Sequence, residues 1–218
     1  MGQLHANPNK SPTNSRFRRS SAIELGDVIS QAVKLNGHDP TKQTNPSMRA
    51  PGLTDSGTTP TMTPVAAFHV TGLTVRTRNR DEMDPATARI GGLWDRFFSQ
   101  SWERNLPGRG EDGRIFGVYS DYESDEHGAF DVTAGVAVPP PVTSVPGAVQ
   151  IAVQAGDYLV FHGHGTMPQM VIDAWGEVWR YFAAHPQVPR RFGTDFELYE
   201  GPDRVAIHIG IAPSAPRA

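Results

Sequence analysis

The chain contains no cysteine among its 218 residues. Disulfides, thiol nucleophiles and thiolate-held metals are therefore excluded. No apolar run approaches the roughly 18 residues that a membrane-spanning helix requires, and the N-terminus lacks the apolar core of a secretory signal. A cytoplasmic protein with no membrane association is expected. An excess of basic charge is also missing. The formal charge of -3 and pI near 6.2 argue against the broad basic face that direct nucleic-acid binding uses. Lysine is scarce, with Lys10, Lys34 and Lys42 the only three, and after residue 50 the basic residues are arginines. The glycine-rich phosphate loops and the G-x-S-x-G nucleophile elbow are absent too.

What is present falls into two parts. Residues 1–50 hold seven Lys+Arg against Glu24, Asp27 and Asp39, a balance of +4, and the remainder carries -7. Residues 1–61 are rich in Asn, Pro, Ser, Thr and Gly, with one apolar-periodic piece, Ser21–Leu35, of about four helical turns. Arg16, Arg18 and Arg19 form a small basic cluster there. One helix is too little for a helix-turn-helix, so this segment is expected to be a flexible extension before a folded domain at 62–214.

From Val65 onward the sequence repeats itself. The first half, about 65–138, offers a strand AAFHVTGLTV and a helix over ATARIGGLWDRFFSQSW. In that helix Ile90, Leu93, Trp94, Phe97 and Phe98 recur at helical spacing, after an Asp84-Pro85 start. Two strands follow, RIFGVYSDY and AFDVTAGVAV. The second half, about 148–212, follows the PPPVTSVPG linker with GDYLVFHGHG, the helix MVIDAWGEVWRYFAAH, then DFELYE and RVAIHIGIA. Trp94 precedes Tyr119 much as Trp175 precedes Tyr199, and Phe-Gly-Val-Tyr at 116–119 matches Phe-Glu-Leu-Tyr at 196–199. The expected fold is α+β: a β-α-β-β unit used twice, with antiparallel strands, two covering helices and a central cleft.

Period 2 along DFELYE groups Phe196 with Leu198 on one face and Glu197 with Tyr199 on the other. Giving Phe196 and Leu198 to the Trp-bearing helix leaves Glu197 and Tyr199 on the helix-free side, with Tyr119 and Gly117 as their counterparts. The expectation is a cleft between helix-free faces, in which Tyr119, Tyr199 and Glu197 converge and Gly117 leaves room. Trp175 and Trp102 are candidates for its mouth.

Residues from about 65 to 211 resemble the gyrase-inhibitor-like (GyrI-like) small-molecule-binding domains, which also serve as effector-binding domains of AraC-type and MerR-type multidrug regulators. VTGLTVRT, IFGVYSDY, FDVTAGVAV, AGDYLVFHGHG, AWGEVWRYF and DFELYE before IHIGI, in that order, carry the likeness. The resemblance implies a duplicated β-α-β-β fold and an aromatic cleft whose acidic residue, here Glu197, suits flat, lipophilic and often cationic compounds. No DNA-binding module is readable, so the resemblance points to a standalone binder rather than a direct transcription regulator.

The same resemblance supplies two alternatives. Some relatives hydrolyse electrophilic cyclopropane-type genotoxins with pocket glutamates, which here makes Glu197 a general base, Tyr119 a proton donor and Asp121 a candidate second carboxylate. Asp121 fits equally in the acidic loop 121–127. Inhibition of a protein partner such as gyrase is the other alternative, although no surface patch marks it. His162 and His164 share a strand face, yet no third ligand is evident from His69 or His208. Neither a metal nor another cofactor is expected.

Overall fold

The computed structural model describes residues 59–107, 114–139, 144–167 and 169–213. The Ser21–Leu35 segment and the arginines at 16, 18 and 19 lie outside these residues. Eight strands form one antiparallel sheet: β1 Thr61–Val65, β2 Phe68–Arg78, β3 Ile115–Ser120, β4 Ala129–Ala137, β5 Val149–Val153, β6 Gly156–His164, β7 Asp195–Tyr199 and β8 Arg204–Gly210. Two short helical turns, α1 Asn79–Glu82 and α3 Trp102–Asn105, accompany the two main helices, α2 Ile90–Ser99 and α4 Gln169–Ala184. Among the described residues no helix is long and apolar enough to cross a membrane.

The duplication is explicit in the order β1-β6-β8-β7-β3-β4-β2-β5. Each half contributes β-α-β-β, and the halves join edge to edge through β7 and β3. The two outermost strands, β1 and β5, are additional to the six expected from the sequence. Each precedes the first long strand of its own half but pairs with that of the other, β1 with β6 and β5 with β2. This reciprocal exchange ties the halves together. Both strands are short: TMTPV is mostly exposed, and VQIAV alternates but only Val153 is fully buried. The period-2 signal that reveals inner strands is therefore weak at these edges.

The register at the junction sets the site. Gly117 lies opposite Glu197, Phe116 opposite Leu198 and Val118 opposite Phe196. Gly117 and Glu197 are thus equivalent positions of the repeat and face each other on its approximate two-fold axis. Helix α2 packs on β2 and β4, and α4 packs on β6 and β8. The central pair β3–β7 lies between them.

The structure reverses the expected faces. Tyr119 and Tyr199 belong to the same core as the helix residues Leu93, Trp94, Phe97, Trp175 and Val178. Phe116, Val118 and Phe196 form a second core on the helix-free side with Val70, Val153 and Tyr158. The parity along β7 is as read from the sequence, but the helices cover the Glu197 side. The reason is curvature. Phe68 of β2 reaches Phe196 of β7 at 5.5 Å between ring centroids, although two strands separate them in the sheet. The sheet curls until its own side chains cover that face, so no helix is needed there. Gly72 and Gly135, paired across β2 and β4, permit the close approach: a Cβ on Gly72 would stand 1.9 Å from the Ala134 carbonyl oxygen.

Helix α2 begins at Ile90, later than the Asp84-Pro85 start predicted. Residues 84–88 form a turn in which the Asp84 carbonyl accepts from the Thr87 and Ala88 amides. The helix is capped from outside by the fully buried Glu82, whose carboxylate accepts from the amides of Arg89 at 2.9 Å and Ile90 at 3.2 Å, and from the Thr77 hydroxyl. A carboxylate at this end satisfies orphan N–H groups and complements the helix dipole.

Candidate functional site

Alternation along β7 turns Asp195, Glu197 and Tyr199 toward the strip of sheet between α2 and α4, where the side chain of Glu197 is fully buried. Its carboxylate accepts three hydrogen bonds. Tyr119 Oη and Trp175 Nε1 donate to Oε1 at 2.9 and 2.7 Å, and Tyr199 Oη donates to Oε2 at 2.8 Å. The donors come from three elements, β3, α4 and β7 itself. Tryptophan at 175 falls on the buried stripe of α4 with Ile172 and Val178, which aims its indole at the sheet.

The aromatic rings are arranged across the repeat. Tyr119 of the first half lies against Trp175 of the second, 5.2 Å between centroids, and Tyr199 of the second lies against Trp94 of the first at 5.6 Å. Both contacts are edge-on, the geometry favoured by the ring quadrupole. Gly117 supplies the room. A Cβ there would stand 2.6 Å from Glu197 Oε2 and 3.1 Å from Trp94 Cζ2. One half of the repeat thus gives up its side chain so that the other half's glutamate fits on the shared axis.

Burial pushes the Glu197 carboxyl above its ordinary range, and the three hydrogen bonds oppose that rise without cancelling it. Burial, with the neighbouring carboxylate, holds the Tyr119 and Tyr199 hydroxyls well above the usual tyrosine value, so both stay protonated as donors. Among the described residues no Lys, Arg or His forms an ion pair with Glu197.

A second buried carboxylate, which the sequence analysis did not single out, lies two residues away. Asp195 is also fully buried. Its Oδ2 accepts from Arg190 Nη2 and Tyr122 Oη, each at 2.7 Å, and its Oδ1 accepts from the Gly210 amide at 2.7 Å. Arg190 is itself enclosed, with its guanidinium 4.6 Å from the Phe192 ring centroid, 5.5 Å from Phe182 and 5.6 Å from Trp179. Its role is structural, as the buried partner of Asp195. The acid two places before Glu197, on the same strand face, was the signal in the sequence.

Of the predicted site residues, the structure brings Glu197, Tyr119, Tyr199, Gly117 and Trp175 together. Trp102 packs against the same core without bonding to Glu197, and Asp121 lies apart. The Trp102 indole donates to Gln100 Oε1 at 2.9 Å. Asp121 follows the end of β3 with a positive φ of 50°, and its exposed carboxylate pairs with Arg76 at 3.0 Å. It belongs to the surface loop. Trp94, not among the predicted site residues, borders the carboxylate through Gly117, and its place in the repeat opposite Trp175 was the clue. His162 and His164 are exposed on β6, and no cluster of three metal-ligating side chains occurs among the described residues.

Residues 61–212 match the sequence profile of Cass2, the integron-associated effector binding protein. The chain belongs to the Cass2 family. A solved integron cassette protein of Vibrio cholerae, VCH_CASS2, shares 39% identity over 72% of this chain and 97% of its own, with a TM-score of 0.61. Two more distant structures share the fold with the Cass2 family. SAV2435, solved bound to tetraphenylphosphonium, is 18% identical over 70% of this chain and 93% of its own, at a TM-score of 0.57. A protein of Staphylococcus aureus MU50, described as a candidate transcription regulation protein, is 19% identical over 72% of this chain and all of its own, at a TM-score of 0.57. Comparison with curated proteins gave no match.

Proposed function

We propose that this protein captures lipophilic, cationic small molecules at Glu197 between the tyrosine and tryptophan pairs. The observation that carries the reading is a buried carboxylate held by three neutral donors and no internal cation. Such a group bears a desolvation cost that an incoming positive charge relieves. The surrounding rings offer both apolar contact and quadrupole attraction to a cation, about 2 kcal/mol or more per favourable contact once water is excluded.

The rings close over the carboxylate in this structure. Glu197 has no exposure, whereas Tyr119, Tyr199 and Trp175 retain 6, 6 and 7%, so a ligand enters by parting these rings and exchanges ring–ring contacts for ring–cation ones. Membership of an effector-binding family supports small-molecule capture. The fold neighbour bound to tetraphenylphosphonium is an example of that architecture holding a compound of this class. Hydrolysis of an electrophile has less support. Asp121 is too exposed to be the second pocket carboxylate, and the raised values of Tyr119 and Tyr199 make them reluctant proton donors to a leaving group.

The test is a pair of ions of nearly equal shape and opposite charge. Tetraphenylphosphonium should quench tryptophan emission saturably, and tetraphenylborate should not. Equal binding of both ions, or of neither, contradicts the proposal.

A further inference from the structure

Within the aromatic cluster, the approximate two-fold relation between the halves is broken at the indole N–H groups. Trp175 and Trp94 hold equivalent places, each edge-on to the other half's tyrosine. The Trp175 indole N–H donates to Glu197. The Trp94 indole N–H is buried, in a side chain only 1% exposed, and finds no acceptor among the described residues. A buried donor without an acceptor forfeits its hydration with nothing in return, and native structures contain few of them.

The position of this donor is informative. Trp94 Cζ2 is 3.1 Å from where a Cβ on Gly117 would stand, and that point is 2.6 Å from Glu197 Oε2. Nε1 and Cζ2 share one edge of the indole, so the N–H edge borders the glutamate. It makes no hydrogen bond to the carboxylate, whose Oε2 accepts from Tyr199. The cluster therefore presents two kinds of complementarity side by side: a carboxylate for a positive charge and a free N–H for an acceptor.

We infer that Trp94 is a specificity-determining residue whose Nε1 donates to an acceptor on the ligand, so that cations carrying a carbonyl or similar oxygen are favoured over purely hydrocarbon ones. This inference rests on the cation-capture reading above and narrows its ligand class to compounds with a cationic centre and an acceptor attached to a flat apolar body. Trp94 adds discrimination, whereas Glu197 supplies the response to charge.

Two probes of matched shape test it: N-methyl-4-(4-acetylphenyl)pyridinium and its 4-isopropenyl analogue, which lacks the acceptor. By isothermal titration the acetyl compound should bind the wild-type protein roughly threefold to tenfold more tightly, the range expected of one net hydrogen bond. Trp94→Phe keeps a ring and removes the donor, so the ratio should fall to about one, whatever affinity the smaller ring costs both probes alike. In protein labelled with ¹⁵N-tryptophan, the Trp94 indole proton should shift downfield with the acetyl probe alone. Equal wild-type affinities, or a ratio that persists in Trp94→Phe, overturn the inference and leave cation capture standing. Failure of both probes to bind overturns cation capture and this inference together. Should Trp94→Phe not fold, the wild-type ratio and the indole resonance decide.

Discussion

Strand β7 carries two buried carboxylates two residues apart, on the same face, and they are treated in opposite ways. Asp195 has a permanent cation, Arg190, which sits among Trp179, Phe182 and Phe192. Glu197 has only neutral donors. The surroundings are otherwise alike: both lie under α4, and Trp175 and Trp179 are neighbours on that helix with centroids 6.2 Å apart. Asp195 and Arg190 show in miniature what an aromatic enclosure with an acid does to a cation. Glu197 repeats the arrangement without the internal partner. One carboxylate is neutralised within the fold; the other has no internal cation, which on the proposed reading leaves its charge to a ligand.

The largest effect should come from the fold-serving side. Asp195→Asn leaves the Arg190 guanidinium buried and unpaired, and loss of one partner from such a pair costs about 3–5 kcal/mol. Denaturant unfolding should register that loss, and a change below about 1 kcal/mol would remove the contrast. Gly117→Ala comes next. The new methyl meets Glu197 Oε2 and the Trp94 ring, and overpacking of this kind costs about 1–3 kcal/mol. Part of the strain is relieved by displacing the carboxylate, so cation affinity should fall along with stability. Stability loss with unchanged affinity would separate the glycine from the site.

The smallest effect concerns pH. His208 stacks on Phe196 on the opposite face, 4.2 Å between centroids, and burial pushes its imidazole down from 6.5 to about 4. The unfolded chain therefore takes up this proton first, and the folded state loses stability as pH falls from about 6.5 toward about 4. Above that window the contribution is constant. His208→Phe retains a ring for the stack and should flatten this part of the acid limb of a melting-temperature profile. Glu197, whose carboxyl is raised, acts in the opposite sense in acid, so the comparison is made with Glu197 intact. An unchanged acid limb would show that His208 is not held neutral.

Much of this was legible in the sequence, for identifiable reasons. The two aromatic-striped helices and the inner strands have strong periodicities, and the equivalence of residues 116–119 with 196–199 was visible in residue type. Glu197, Tyr119 and Tyr199 followed from that equivalence together with the family resemblance, whereas Trp175, expected only at the mouth, donates to Glu197 itself. The covered face did not. Parity states which residues share a side, but which side the helices take depends on how far the sheet curls, and that follows from close backbone approach at Gly72 and Gly135. Strand exchange by β1 and β5 was hidden because both strands are five residues long and pair with the other half, which no local pattern reveals. Arg190 with Asp195 was missed because an arginine before a strand ordinarily reads as a surface residue. Asp121 could not be placed because β3 ends one residue earlier, where the chain turns through a positive φ.

The contrast between the two acids is tested most directly by replacing the second one. Glu197→Gln keeps the shape and removes the charge. On one set of samples, tetraphenylphosphonium affinity should fall at least about tenfold, as expected when one side of a buried charge pair is removed, while the melting temperature at pH 8 stays equal or rises. Unchanged affinity, or a loss of stability like that of Asp195→Asn, would contradict the account and make Glu197 a second structural acid.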